Sequence, residues 1–232
     1  MNGDLETVWL ELVADMQVEL VSALKSLTGK QHEGLQDVFP IMSAGHINRA
    51  LDAYVLLRNA SRIDASKLLI RPALEPAIKI LAVKERSDLL YRIANSERLE
   101  DQKWIGAAAR RQGKDYGPRD KKNWNEFTEA YSTHFPTHKL LEQKLSLRDA
   151  AVVAGIGDYY DSHYRLYCQF THAAFRAVTH DLDDLDTHDN QTMTLCALVG
   201  LEAAISVGAV APNVDELRKR RKELDQRFYQ TP

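Results

Sequence analysis

The sequence predicts an all-α protein, a single-domain bundle of about seven to nine helices. Apolar residues recur at spacings of three and four along most of the chain, which is the pattern of amphipathic helices. No segment alternates between apolar and polar residues as a half-buried strand does. The chain has 232 residues, of which 44% are hydrophobic and 27% charged, as in an ordinary globular domain. We therefore assign residues 1–232 to one domain.

Three long helices are predicted in the first half of the chain. Residues 5–27 place one apolar stripe along a helix, and a glycine shortly after them ends it. A second helix is predicted to start after Pro40 and to reach about Ala60. A third covers about residues 64–93, with a kink or a break near Pro72, because proline lacks the amide hydrogen that a helix interior needs.

The middle of the chain is predicted to be less regular. Ser96 is placed to cap a shorter helix that reaches Arg111. The segment 112–122 contains two glycines and one proline among charged residues, which predicts a mobile loop. Two short helices with a proline between them are predicted over residues 123–133 and 137–144.

The second half alternates helices with one acidic segment. Residues 147–154 are predicted to form a short helix capped by the serine before them, and residues 158–179 a long one. The segment 181–190 is rich in aspartate and is predicted to be an acidic loop. Residues 192–210 are apolar on most faces, which predicts a central helix, and a last helix with a basic tail starts at Pro212.

Charge and cysteine content exclude several classes of protein. The chain has 30 basic and 33 acidic residues, a net charge of −3 at pH 7, so it lacks the chain-wide basic charge that is typical of a nucleic-acid-binding protein. We expect no sequence-specific DNA binding. No secretory signal and no run of about 18 apolar residues is present, so we expect no membrane association. Cys168 and Cys196 are too few for a disulfide framework, which predicts a cytoplasmic protein.

Motifs for cofactors and metal ions are missing. The sequence contains neither the glycine-rich dinucleotide fingerprint nor the phosphate-binding P-loop. His134 and His138 have the spacing of a zinc pair, but Pro136 between them spoils the helix that would aim both at one ion. The acidic segment 181–190 lacks the glycine and the glutamate that an EF-hand loop requires. We therefore predict no cofactor and no bound metal.

The helix predicted over residues 158–179 carries the candidate catalytic residues. At about 100° per residue, one face presents four polar side chains, Arg165, Gln169, His172 and Arg176. A histidine between two arginines has its cationic form disfavoured, so a neutral imidazole is available as a base. An arginine beside it can bind a phosphate through two hydrogen bonds. This pattern favours phosphodiester cleavage, with His172 removing the 2′-hydroxyl proton and Arg165 stabilising the charged transition state.

The spacing Arg165-x₆-His172 resembles the Arg-x₄₋₆-His signature of HEPN domains. These domains are helical bundles that usually dimerise, and many act as metal-independent ribonucleases in toxin–antitoxin and antiphage systems. The resemblance implies an RNA endonuclease of bacterial toxin or phage defence, with His172 and Arg165 as catalytic residues and Arg176 as a second phosphate ligand. HEPN motifs usually place a polar residue after the arginine, whereas Leu166 stands there in this chain.

A second resemblance covers about residues 49–176. The segment Arg71-Pro-Ala-Leu-Glu75 is followed by a short Asp-Ala-Ala-x-x-Ala-Gly helix and by Tyr164-Arg-Leu-Tyr-Cys-Gln-Phe-Thr-His172. This order resembles the uncharacterised bacterial family known as domain of unknown function 5677. The resemblance implies a helical bundle in which Arg71, Glu75 and His172 converge, but it implies no activity.

The polar residues leave a structural interpretation open beside the functional one. Arg71 and Glu75 have the i, i+4 spacing of a helix-surface ion pair. A buried version of this pair would join His172 in a network that locks two helices together. In the functional interpretation, five side chains bind the substrate: Arg71, Glu75, Tyr164, Gln169 and Arg176.

Three functions follow from these patterns. The first is a HEPN-like ribonuclease with RNA as its partner, guided by the basic segment 103–122. The alternative is a non-catalytic binding or regulatory module that forms a homo-oligomer or contacts another protein through its first or last helix. The third is a small-ligand pocket, for which the sequence offers Tyr160, Tyr164, Trp104 and the pair Arg71 and Glu75.

Overall fold

Every regular element that the structure describes is a helix. The computed structural model describes residues 2–32, 34–96, 129, 132–133, 145–171 and 186–230. Within these ranges the predicted all-α helical bundle is confirmed. None of the helices in these ranges is long and apolar enough to cross a membrane. The loop predicted at 112–122 and the helix predicted at 137–144 lie outside the described residues.

The helices follow one another in the order of the sequence. In the first part of the chain they are α1 (Asn2–Ser26), α2 (Leu35–Asn59), α3 (Ile63–Lys67) and α4 (Ile70–Glu85). Residues 89–96 are also helical. In the second part they are α5 (Leu147–Val153), α6 (Gly157–Tyr159), a π-helical segment (Tyr160–Tyr164), α7 (Arg165–Thr171), α8 (Asp186–Ser206) and α9 (Val214–Gln230).

Four helices enclose the hydrophobic core. Helix α1 packs against α2 and α8, and α4 packs against the same two helices from the other side. Most of the apolar stripe of α1 is buried, as Trp9, Leu12 and Leu20 show. Helix α8 is central, as its composition predicts. A Cβ added at its Gly200 would lie only 3.2 Å from a methyl group of Leu20 and 3.5 Å from Ile47, so this glycine lets α1 and α2 approach α8 closely.

Two prolines lie near predicted helix boundaries, and one of these boundaries differs from the prediction. Pro40 does not precede α2 but lies inside it, because a proline near the start of a helix removes only one backbone hydrogen bond. The helix predicted over residues 64–93 is broken near Pro72, as predicted, because α3 ends at Lys67 and α4 begins at Ile70. Pro72 is the third residue of α4, where the backbone amide has no partner within the helix. A second break falls at Arg86, whose backbone is extended. Ser96 was predicted to cap a helix, but it is itself the last residue of the helical segment 89–96 that the structure describes.

The second half keeps its predicted order with one clear shift. The Ser146 hydroxyl accepts a hydrogen bond from the Asp149 amide at 3.1 Å and so caps α5 as predicted. Helix α8, however, begins at Asp186, so residues 186–190 of the predicted acidic loop are helical. Two tyrosines explain this shift. Tyr167 donates to the buried Asp189 at 2.9 Å, and Tyr54 donates to Asn190 at 2.8 Å.

A π-helical turn interrupts the run from Gly157 to Thr171. It covers Tyr160–Tyr164 and joins α6 to α7 without a break in the chain. A π-turn inserts an extra residue into a helix and so changes the direction in which the side chains on either side of it point. Such turns are frequent at functional sites. Here it directs one pair of rings toward α4 and another toward α8 and α9.

Candidate functional site

The candidate site lies where α4 meets the π-helical segment. Arg71 and Glu75 are one turn apart in α4, and Nε of Arg71 donates to Oε1 of Glu75 at 2.7 Å. The hydroxyl of Tyr164, the last residue of the π-helical segment, donates to the same oxygen at 2.6 Å. Glu75 therefore joins a guanidinium on its own helix to a phenol that lies 89 positions away in the sequence.

Aromatic rings complete this cluster. The guanidinium carbon of Arg71 lies 5.9 Å from the centre of the Tyr164 ring, within the range of a cation–π contact. On the π-helical segment, the Tyr160 ring stacks on Tyr164, with centroids 4.5 Å apart and an angle of 15° between the planes. The guanidinium is thus fixed by a carboxylate and by a tyrosine ring. We call Arg71, Glu75, Tyr160 and Tyr164 the tyrosine–arginine cluster.

The protonation states of this cluster suit binding rather than proton transfer. The hydrogen bond to Glu75 raises the pKa of Arg71, so its guanidinium stays charged. Burial raises the pKa of Tyr164, and the hydrogen bond to Glu75 raises it further. Burial also raises the pKa of Tyr160. Both phenols therefore remain protonated donors at neutral pH, and neither can serve as a base there.

Arg165 lies on the neighbouring face of the same helical run. Its side chain is 65% exposed, and its Nε lies 3.5 Å from Oδ1 of Asp161, one turn earlier. Arg148 of α5 binds the same carboxylate through two nitrogens, with Nη2 2.8 Å from Oδ2 and Nε 3.1 Å from Oδ1. The hydrogen bond from Arg148 lowers the pKa of Asp161. One carboxylate is therefore shared by two arginines, of which Arg165 holds it more loosely.

Tyr160 connects the two groups of side chains. Asp161, the carboxylate that Arg148 and Arg165 share, directly follows Tyr160 in the chain, and the Tyr160 ring stacks on Tyr164 of the cluster. Arg148 also interacts electrostatically with Tyr160. The tyrosine–arginine cluster and the pair of arginines around Asp161 are therefore adjacent parts of one surface.

The structure describes the side chains of four of the seven predicted site residues. Arg71, Glu75 and Tyr164 contact one another, and Arg165 lies beside them. Gln169 belongs to α7, but its side chain is outside the described part of the structure. His172 and Arg176 are outside it as well, so the predicted convergence of His172 with Arg71 and Glu75 stays a prediction. No group of three histidine, cysteine, aspartate or glutamate side chains that could hold a metal ion occurs among the described residues.

Sequence reasoning missed two residues of this surface. Asp161 precedes Arg165 by four positions, and this spacing is a signal that could have paired them. Arg148 reaches Asp161 only because α5 folds back onto the π-helical segment, a contact that no local pattern shows. The basic segment 103–122 and Trp104, which were expected to line the site, lie outside the described residues.

Comparison with known families identifies the chain. The model of the family of unknown function DUF5677 matches residues 39–191, more than half of the sequence. The chain belongs to this family. The DUF5677 match includes Arg71, Glu75, Tyr164, Arg165 and the segment that ends at His172, so the predicted resemblance is confirmed. No curated protein and no solved structure matched the chain. Membership in DUF5677 assigns no activity.

Proposed function

We propose that the chain is a HEPN-like ribonuclease that cleaves RNA without a metal ion, with His172 as the base and Arg165 as the phosphate ligand. The observation that carries this proposal is the exposure of the Arg165 guanidinium beside the tyrosine–arginine cluster. An exposed guanidinium binds a phosphate without first breaking a buried ion pair. Within the described part of the chain its ion-pair partner is Asp161, which Arg148 already holds through two hydrogen bonds.

The local charge balance favours an anionic ligand. Arg148 and Arg165 carry two positive charges around the single carboxylate of Asp161. The charge of Asp149 also acts on Arg148, so the positive charge offered to a phosphodiester is mainly that of the exposed Arg165. The side chains of Arg148 and Arg165 are both more than half exposed, so a strand can reach them from solvent.

The proposed reaction is a transesterification. His172 removes the proton of a 2′-hydroxyl, the 2′ oxygen attacks the neighbouring phosphorus, and the bond from phosphorus to the 5′ oxygen breaks. The leaving 5′ oxygen takes the proton from the imidazolium of His172. The products are a 2′,3′-cyclic phosphate and a 5′-hydroxyl. Arg165 stabilises the charge that develops on the phosphoryl oxygens, and Arg176 is proposed as a second phosphate ligand.

The remaining predicted residues have positioning and binding roles in this proposal. The hydrogen bonds from Arg71 and Tyr164 to Glu75 attach the π-helical segment to α4, which sets the position of Arg165 one residue further along. Gln169 lies one turn after Arg165 and is proposed to contact the RNA strand. The two cysteines are free thiols, which fits the proposed location in a reducing cytoplasm. The proposed role in a toxin–antitoxin or phage-defence system rests on the HEPN resemblance alone.

A cleavage assay tests this function directly. A mixed RNA pool is incubated with the purified protein and EDTA, in parallel with His172→Ala and Arg165→Ala. The matched controls are His46→Ala and Arg62→Ala, whose side chains are exposed on other elements. Cleavage by the wild type and both controls, with none by the two test variants, is expected. Cleavage that persists in His172→Ala, or no cleavage by the folded wild type, would contradict the proposal.

A second candidate is a non-catalytic binding module, and a groove favours it. The groove has a volume of about 420 Å³ and is lined mainly by apolar side chains of α4 and α8, including Ile80, Val83 and Val199. Ile205 at its border is 37% exposed. The proposed partner is a second copy of the chain. Sedimentation of the wild type and Ile205→Asp over a range of concentrations tests it, since loss of self-association in the variant is expected. A wild type that is monomeric at every concentration would exclude it.

A further inference from the structure

A second polar site lies on the opposite side of the helical run from Arg165. It is a cleft of about 310 Å³ between α8, α9 and the run formed by α6 and the π-helical segment. Six of the side chains that line it are aromatic, polar or charged: Tyr159, His163, His188, Gln191, Arg221 and Asp225. Arg165, by contrast, contacts a carboxylate that is held by α5. The cleft therefore does not belong to the candidate ribonuclease site.

One wall of the cleft is flat and aromatic. The rings of Tyr159 and His163 stack with their centroids 4.4 Å apart and their planes within 8°. His188 approaches His163 edge-on at 5.9 Å, and Phe228 supports His188 from behind at 5.4 Å. The hydroxyl of Tyr159 is hydrogen-bonded to Thr192 of α8, which holds the platform in place. The two rings lie face to face, so a planar aromatic ligand would extend the stack by lying on the outer face of one of them.

The other wall supplies both donors and acceptors. The amide nitrogen of Gln191 is buried and has no hydrogen-bond partner in the described part of the chain. Asp225 is 27% exposed, and its Oδ2 lies 3.3 Å from Nη1 of Arg221. Arg221 is anchored in turn by a 3.2 Å hydrogen bond from its Nε to Thr194. A buried donor without a partner is costly, and a ligand that accepts its hydrogen would remove that cost.

The charges of the cleft exclude a simple anion site. Arg221 and Asp225 balance each other. Burial lowers the pKa of His163, and the nearby His188 lowers it further, so its imidazole is neutral at physiological pH. The cleft thus combines a flat aromatic face, a carboxylate acceptor, an amide donor and no net charge. Its volume is at the lower end of the range for small-molecule sites.

We propose that this cleft binds a nucleobase, with guanine as the preferred base. The ring would stack on the Tyr159–His163 platform, as bases stack on aromatic side chains in single-strand binding sites. The Asp225 carboxylate would accept from the two adjacent N–H groups on the guanine edge, and Gln191 would donate to its carbonyl oxygen. Adenine and uracil lack that pair of adjacent donors. The base can belong to a free nucleotide or to an RNA strand, since the recognised chemistry is the same.

Calorimetry and histidine NMR test this site. GMP, AMP, UMP and ribose 5-phosphate are titrated into the full-length protein labelled with ¹³C at the histidine rings, and His163→Phe and His188→Phe assign the two signals. GMP is expected to bind most tightly and to shift the signals of both His163 and His188, while ribose 5-phosphate shifts neither. Ribose 5-phosphate binding as tightly as GMP, or GMP leaving both signals unmoved, would overturn the proposal.

Paired variants identify the contacts. His163→Ala is expected to weaken GMP binding about tenfold, because one stacking partner is lost, whereas His163→Phe keeps a flat ring and binds normally. Asp225→Asn is expected to weaken GMP about tenfold more than AMP, since it removes the acceptor specific to guanine. The matched control is Glu223→Gln on the same helix, where the side chain is 58% exposed and lies outside the cleft lining. A GMP affinity equal to that of the wild type in His163→Ala or in Asp225→Asn would disprove the contact that the variant removes.

One further binding experiment distinguishes a free nucleotide from an RNA strand as the ligand. A short guanine-containing strand with 2′-O-methyl groups resists cleavage, so its binding does not depend on the proposed ribonuclease activity. Displacement of GMP by this strand, with the same shifts at His163 and His188, would identify the ligand as a base of RNA. Binding of GMP alone would identify a free nucleotide. Both results support the nucleobase site, whether or not the chain cleaves RNA.

Discussion

Tyr164 and Glu75, which are 89 positions apart in the sequence, are joined by a hydrogen bond of 2.6 Å. The carboxylate oxygen that accepts this bond also accepts from Arg71 at 2.7 Å. The phenol therefore links the π-helical segment to α4 through an ion pair that is only partly exposed. Because Arg165 follows Tyr164 directly, the same hydrogen bond also fixes where Arg165, the proposed phosphate ligand, lies relative to α4.

Tyr164→Phe is expected to lower the free energy of unfolding by about 1 kcal/mol, because it removes one hydrogen bond to a charged acceptor and keeps the ring. Urea unfolding measures this difference. The matched control is Tyr160→Phe, in which the stacked ring also stays but no hydrogen bond to Glu75 is lost. A loss as large in Tyr160→Phe as in Tyr164→Phe would show that the hydrogen bond to Glu75 is not the cause.

Local patterns predicted most of the helices, because each depends on residues that are close in sequence. The apolar stripe of α1 and the Ser146 cap of α5 are examples. The start of α8 was not predictable in this way. Its first turns are stabilised by hydrogen bonds from Tyr54 and Tyr167, which lie in other helices. Tertiary contacts of this kind override the local preference of an aspartate-rich segment for a loop.

The candidate site was predictable only where one helix carries its residues. The i, i+4 spacing of Arg71 and Glu75 is visible in the sequence, and so is that of Asp161 and Arg165. Two other features are not visible there. The π-turn at Tyr160–Tyr164 changes which rings face α4, whereas a uniform helical period of 100° per residue assumes no such turn. The cleft around His163 brings together side chains from distant segments, so no local pattern indicates it.

Gly200→Ala is expected to destabilise the protein by about 1–3 kcal/mol, because the added methyl group would overpack the contact of α8 with α1 and α2. Its Cβ would lie 3.2 Å from Leu20 and 3.5 Å from Ile47. Gly45→Ala in α2 is the matched control, since the nearest atom there is the end of the Arg49 side chain, at 3.9 Å. That variant is expected to be neutral or more stable, because alanine favours a helix. Thermal unfolding compares the two, and equal stability would refute close packing at Gly200.

Acidic conditions are expected to weaken the attachment of α5 to the π-helical segment. Arg148 lowers the pKa of Asp161 below its ordinary value of 3.8 in the folded state. The ion pair therefore contributes at pH values above 3.8, and its contribution is lost as the pH falls through the lower folded-state pKa. Wild-type stability should fall more steeply than that of Asp161→Asn as the pH drops below about 4. Denaturant unfolding at several pH values measures both slopes, and identical slopes would contradict the role of this ion pair.

The two cysteines are expected to differ in their reaction with alkylating reagents. Burial raises the pKa of Cys196 to about 12, and its side chain is fully enclosed by the core, so almost no thiolate forms at pH 8. Cys168 in α7 is only partly buried. Treatment of the native protein with iodoacetamide should therefore add one label, at Cys168, before any label appears at Cys196. Intact mass spectrometry follows the reaction, with Cys168→Ser as the variant that should remain unlabelled. Rapid labelling of folded Cys168→Ser would mean that α8 opens to solvent, in conflict with its central position in the core.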